Sequence, residues 1–247
     1  MRTRKWLVLL AVAGIALVGC DDDDNGNGAD EGDGGGEEAT AELSEEFCQA
    51  NVDVEAAANA EDPEALTSAI QAAEAAAPED LAGELSTVAQ AFEADPQAAF
   101  EDPAVLEAIA AIDEAVLEGC GFEVVEVDAT DYAFEGVPDA LDAGVVAFQL
   151  VNSPDAEPHE MIIFRINDDV TETAEQLLQL PEEEAMTKVT PAGGGFAAPG
   201  ESDLTIAELE PGNYLMACFI PTGTTTETDG QGPPHAAEGM WTEFTVS

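Results

Sequence analysis

Two imidazoles, one thiol and the thioether that follows closely on the second imidazole offer soft-ligand chemistry in the C-terminal half of this chain. His159 and His235 are the only histidines in 247 residues, and each directly follows a proline at the edge of an expected strand. Cys218 closes an apolar run, and Met240 stands five residues beyond His235, just before the last expected strand. Two nitrogens and a thiolate in one plane, with a thioether as a weak axial donor, are the ligand set of a mononuclear type 1 copper centre. Zinc is equally content with Cys and His, but the methionine speaks against it. Cys218 with either histidine would also make a nucleophile and base. An acidic surround raises a thiol's pKa, however, and no cation stands nearby to lower it. Taken singly, each residue has a plainer reading: Cys218 as a small buried hydrophobe, Met240 as core beside Trp241, the histidines as surface groups among carboxylates.

The elements that must position these groups read as strands. Residues 122–127, 132–134, 145–151, 159–166, 204–207, 214–220 and 241–246 are short apolar or alternating runs divided by Gly, Pro, Asp and Asn. Seven or eight such strands predict an antiparallel sandwich over 122–247. Residues 171–188 read as helical with a break at Pro181, and Gly193-Gly194-Gly195 as a mobile turn. No Lys-Ser or Lys-Thr follows these glycines, so they do not form a phosphate loop.

In this stretch the chain resembles the cupredoxins, the plastocyanin and azurin family of Greek-key sandwiches. Val151-Asn152 through Glu157-Pro158-His159, then Met161-Ile162-Ile163-Phe164, looks like the family segment that carries the first histidine ligand into a strand. Pro211 to Cys218, Pro234-His235, Gly239-Met240 and the closing strand Thr242 to Val246 are similar to the family's C-terminal ligand loop. The resemblance implies one copper ion on His159, Cys218, His235 and Met240. It departs in two places. Sixteen residues, Phe219 to Pro234, separate the cysteine from the second histidine, where the family usually has two to four. Loop closure costs grow only logarithmically, so the insertion is expected to bulge outward with its ends close. Glu160 stands where the plastocyanin pattern has an asparagine that ties the ligand loops together.

Upstream, residues 43–121 predict a small all-α helical bundle. Asp62-Pro63, Asp95-Pro96 and Asp102-Pro103 each place a capping acceptor before a proline at the first helical position. Apolar positions then advance at helical spacing: Leu66, Ile70, Ala73, Ala77; Leu81, Leu85, Val88, Phe92; Val105, Ile109, Ile112, Val116. An opening helix over about 44–58 makes four, and Gly119 marks a left-handed C-cap. Cys48 in the first helix and Cys120 just past the last are expected to form a disulfide. No histidine, basic residue or base-paired nucleophile occurs in this bundle, which points to a spacer, shield or docking role.

The N-terminus reads as an address. Arg2, Arg4 and Lys5 precede an apolar run from Trp6 to Gly19, too short to span a bilayer comfortably. Leu17-Val18-Gly19-Cys20 resembles the lipobox of bacterial lipoprotein signal peptides, which implies a signal peptide over 1–19 and lipid on Cys20. Residues 20–42 follow as an acidic tether of Asp, Glu, Gly and Asn without apolar bulk. An exported, lipid-anchored protein at the outer face of the cytoplasmic membrane or cell envelope is the expectation, and export permits the disulfide. With Cys20, Cys48 and Cys120 so assigned, Cys218 is an odd thiol.

Fifty-four Asp and Glu against five Lys and Arg give a charge of −49. Such a surface repels nucleic acid and reads as adaptation to salt, where counterions screen the carboxylates. Asp21 to Asp24 lacks the distal Glu of a calcium-binding EF-hand loop. The functional expectation is a copper protein for single-electron transfer or copper carriage, not an enzyme, with a redox or copper-donor protein as partner and no small-molecule substrate. The competing expectation is a metal-free cupredoxin-like adhesion or assembly module with a helical docking or spacer domain.

Overall fold

The structure, a computed structural model, describes residues 43–99 and 102–247. The expected signal peptide, Cys20 and the whole of the acidic tether therefore lie outside the described residues. Four longer helices and a single turn come first: α1 (Glu45–Asn59), α2 (Pro63–Ala76), α3 (Ala82–Ala94), α4 (Pro96–Ala99) and α5 (Pro103–Gly119). Their starts follow the capping chemistry. Asp62 accepts from the Glu64 and Ala65 N–H groups, Asp102 from Ala104 N–H, and Asp95 from Ala98 N–H, while Ser44 caps α1 through Phe47 N–H. The expected apolar faces are turned inward: Ile70, Ala73, Leu85, Val88, Phe92, Val105, Ile112 and Val116 are all buried. Cys48 and Cys120 form the expected disulfide. Cys120 stays helical, its N–H bonded to Val116 O, so the chain turns left-handed only at Gly121, two residues later than the glycine expected to do so.

The chain then builds nine strands: β1 (Glu123–Thr130), β2 (Ala133–Glu135), β3 (Ala140–Leu141), β4 (Gly144–Asn152), β5 (His159–Ile166), β6 (Val189–Ala197), β7 (Ser202–Leu209), β8 (Gly212–Ala217) and β9 (Trp241–Val246). Short helices α6 (Ala174–Leu178) and α7 (Glu182–Ala185) flank Pro181, and α8 (His235–Glu238) precedes β9. Two sheets, ordered β2-β1-β4-β7 and β3-β9-β8-β5-β6, form the sandwich that the resemblance implied. It is mixed rather than purely antiparallel. β1 lies parallel to β4, and β3 parallel to β9, because the chain leaves β1 through β2, crosses to the other sheet as β3 and returns beside β1. Val127, Phe148, Leu150, Met161, Ile163, Tyr214, Met216 and Phe244 fill the space between the sheets.

Gly193 to Gly195 are not a turn but the middle of β6, paired with Ile163, Ile162 and Met161. A Cβ on Gly193 would stand 2.9 Å from Thr205 Cγ2, and one on Gly195 2.8 Å from Asp203 Oδ2. The glycines let β6 run close over the side chains of β7.

The first sheet is apolar on both faces. Ala147, Leu204 and Ile206 share a core with the helices, while Phe148, Leu150, Ala207 and Leu209 belong to the sandwich interior. Three carboxyls interact electrostatically across this junction: Glu55 of α1, Asp113 of α5 and Asp203 of β7. Burial first, then mutual repulsion, pushes Glu55 and Asp113 well above the carboxylate range. Burial lifts Asp203 to about 6 against the pull of the Phe196 and Leu204 N–H groups. A carboxyl whose folded pKa exceeds its unfolded value favours the folded state while protonated, so stability falls as pH rises from about 4 to about 6. All three side chains keep part of their surface in solvent, which screens the effect. Asp203→Asn is expected to flatten that slope and to stabilise the protein by roughly 1–2 kcal/mol above pH 6. Denaturant melts at pH 4 and pH 8 check it. A variant less stable than the parent at pH 8 would show that the ionised carboxylate is well satisfied where it sits.

Candidate metal centre

The four soft side chains arrive from three segments and are laced together by main-chain hydrogen bonds. His159 opens β5, in register with Ala197 of β6. Cys218 follows directly after β8, and its N–H donates to Met240 O at 3.1 Å. His235 starts α8 behind Pro234, its N–H donates to Ile220 O at 2.9 Å, and the next N–H, of Ala236, donates to Cys218 O at 2.7 Å. Gly239, left-handed at φ 116°, ends that single turn, so that Met240 N–H reaches His235 O at 3.0 Å and β9 can begin.

The insertion between Cys218 and His235 closes at its neck, as expected. Pro221 and Pro234 form an isolated bridge, Thr222 N–H donates to Pro233 O at 2.8 Å, and Gly232 N–H returns to Thr222 O at 3.1 Å. The residues between them bulge outward, pinned from inside by buried Thr224, whose hydroxyl donates to Pro221 O and accepts from Gly230 N–H.

The donor atoms converge. His159 Nδ1 lies 3.0 Å from His235 Nδ1, and Cys218 Sγ lies 3.3 Å from the same nitrogen. The donor atoms of the three residues all lie within 4.8 Å of one another, the one such group of His, Cys, Asp or Glu among the described residues. All three side chains and Met240 are fully buried, and Cys218 and Met240 pack in the same core. Separations of this size suit donors that share one ion through bonds of roughly 2.0–2.3 Å.

Electrostatics prepare the nitrogens and guard the sulfur. Burial, aided by the neighbouring His235, lowers the His159 pKa to about 4 against the opposing pull of Asp131, so at neutral pH this ring is uncharged with a lone pair to give. Burial pushes the Cys218 thiol up to about 12. That burial favours the protonated thiol in the absence of a metal and weighs against the nucleophile reading, and a metal must displace the proton. The plainer reading of the histidines as surface groups is overturned, since neither ring is exposed.

Glu160 makes the tie that its departure from asparagine put in question. Its N–H points at Cys218 Sγ at 3.5 Å, and its carboxylate accepts from Phe219 N–H at 2.8 Å, joining the two ligand segments. Burial raises its pKa, offset in part by that N–H. Asn152 Nδ2 donates to Glu157 O at 2.8 Å and to Ala197 O at 3.0 Å, which holds the loop entering His159.

Three residues beside the centre escape a reading of the sequence: Asp131, Tyr132 and Glu157. The Tyr132 ring lies over His235 with centroids 4.7 Å apart. Glu157 Oε2 accepts from Gly223 N–H at 2.7 Å and meets His235 Nε2 at 3.0 Å. Asp131 Oδ1 accepts from Glu157 N–H at 2.9 Å and stands 3.1 Å from His159 Nε2. That last contact is poorly aligned for a hydrogen bond, and it acts as a contact of charge with ring. The one signal in the sequence is the position of Glu157, two residues before a ligand histidine.

No family model matches this sequence, and no curated protein matches it at a significant level. Among solved structures the chain is similar to auracyanin B, with 23% identity over 51% of this chain and 88% of that one, at a TM-score of 0.33. It is also similar to auracyanin A, a "blue" copper protein from the green thermophilic photosynthetic bacterium Chloroflexus aurantiacus, with 18% identity over 51% of this chain and 100% of that one, at a TM-score of 0.31. Rusticyanin from Thiobacillus ferrooxidans matches with 18% identity over 52% of this chain and 80% of that one, at a TM-score of 0.31.

Proposed function

We propose that this protein is a one-electron carrier built on a cupredoxin-like sandwich, with a single copper ion held by His159, Cys218 and His235 and Met240 as a fourth, weaker donor. The observation that carries the proposal is the convergence of three buried donor atoms within 4.8 Å, contributed by residues 76 positions apart in the chain. The donor set fits: two nitrogens and one thiol, with a buried thioether in the same core. Bound copper would supply a one-electron couple between Cu(I) and Cu(II). The chain's part is to keep the ligand cage alike in both states, which the lacing of Cys218, His235 and Met240 through their main chains serves. Burial of both rings and the sulfur keeps water from the centre. No proton transfer and no catalytic base are needed.

The same reading places the protein at the cell envelope, with lipid on Cys20 and the acidic stretch as a spacer, and gives it a redox protein or copper donor as partner. Its surface charge suits a protein working in concentrated salt. The adhesion reading drew on the insertion parting Cys218 from His235. With Sγ and Nδ1 3.3 Å apart, that support is gone.

Titrating the purified chain with Cu(II) tests the proposal. One equivalent is expected to bind and to bring up an intense blue thiolate-to-copper band. Binding without that band, or preference for Zn(II) in competition, would overturn it.

A further inference from the structure

We propose that Asp131 and Glu157 set the electronic character of this centre, standing at the outer nitrogens of the two imidazoles and biasing bound copper toward Cu(II); this rests on the copper reading above. The Nδ1 atoms of His159 and His235 face each other and the sulfur, while each Nε2 meets a carboxylate oxygen, Asp131 Oδ1 at 3.1 Å and Glu157 Oε2 at 3.0 Å. Neither carboxylate is a stray surface acid. Asp131 is fixed by Glu157 N–H, and Glu157 by Gly223 N–H at the neck of the insertion and by the Tyr132 hydroxyl at 3.4 Å. Their side chains are 36% and 23% exposed, so solvent screens them only in part. The two Lys and Arg side chains among the described residues are engaged elsewhere: Arg165 pairs with Asp168, and Lys188 with Glu172.

Glu157, within hydrogen-bond distance of the outer His235 nitrogen, fixes that ring's tautomer with its lone pair toward the metal and makes it a stronger donor, while Asp131 acts on His159 by its charge. Two negative charges one ring away stabilise a doubly charged ion more than a singly charged one. Reduction adds one electron to the metal from an external one-electron donor and moves no proton, so the two charges oppose it directly. The carboxylates also cap both ring edges, so the rings are fully buried.

The test is an equilibrium redox titration of the copper-loaded full chain against ferrocyanide and ferricyanide, in which ferrocyanide gives one electron to Cu(II). Asp131→Asn and Glu157→Gln retain an amide oxygen at the ring and remove the charge. Each is expected to lower the ratio of Cu(II) to Cu(I) affinity about tenfold, read as a potential higher by about 59 mV, with the double variant shifted further. Asp131→Ala and Glu157→Ala remove acceptor and charge together. If the alanine variants shift the potential and the amide variants do not, the carboxylates merely position the rings and the inference is overturned; it is equally overturned if none of the four moves it. Failure of the copper reading looks different: the parent chain itself then develops no blue band, before any variant is made.

Discussion

Replacing Cys218 with serine is expected to abolish the blue band and to weaken Cu(II) binding on the order of a thousandfold. Structural zinc sites of four ligands are worth roughly 10–16 kcal/mol at neutral pH, so by the same measure one ligand's share is about 2.5–4 kcal/mol. The larger signature lies in the pH dependence. Burial holds the thiol at about 12, so in the parent chain each bound ion must expel one proton throughout the range from pH 5 to 9. Metal and proton compete for the same sulfur, hence affinity rises with pH by about tenfold per unit. His159, with its pKa near 4, is already uncharged in that window and contributes no slope there. A serine hydroxyl does not ionise, so the variant's affinity should lose the step that the thiol supplies. Copper titration at several pH values, with proton release followed in weak buffer, measures both. An unchanged slope in Cys218→Ser would mean that other atoms take the metal.

The second large effect concerns the bundle. The bridge between Cys48 and Cys120 spans 72 positions and restrains the unfolded chain by about 4 kcal/mol in the entropic account. That is a large share of the 5–15 kcal/mol by which a domain is usually stable. The helices depend on it because much of their core is alanine: Ala50, Ala57, Ala69, Ala73, Ala99 and Ala108 are buried and bring little apolar area each. Cys48→Ala with Cys120→Ala is therefore expected to lose about 4 kcal/mol and to melt the helical signal first. Denaturant unfolding followed by far-ultraviolet circular dichroism and by Trp241 fluorescence separates the two parts. A loss below about 1 kcal/mol would mean that the reduced chain keeps Cys48 and Cys120 close before it folds.

The cluster of His159, Cys218 and His235 was legible because its residues are rare. Two histidines and one thiol left over by counting point to one place, and the proline before each ring marks a strand edge. Helix starts were legible for a similar reason, since Asp-Pro is a strong local signal. What escaped depends on distant partners. β3 is two residues long and exists only because Ala140 and Leu141 pair with Thr245 and Val246, more than a hundred positions away. β6 carries three glycines whose justification is a neighbouring strand, not their own propensity. Asp131 and Glu157 were hidden by company, as two acids among 54. The substitution at Glu160 was visible, but not that its longer arm would reach Phe219 N–H.

Strand β1 acts as a ruler between two ends of the protein. It starts at Glu123, three residues past the Cys48–Cys120 bridge and close to where Leu43 N–H bonds Gly119 O. It finishes at Thr130, and the next residue, Asp131, touches His159. Eight residues at about 3.3 Å each put roughly 26 Å between the disulfide end of the bundle, where the described residues begin at Leu43, and the carboxylates beside His159 and His235. Because the helices and the first sheet share a core through Ala147, Leu204 and Ile206, the sandwich cannot swivel freely on the helices. Were the proposed N-terminal mooring correct, the cluster of His159, Cys218 and His235 would point outward, away from the surface that holds the chain.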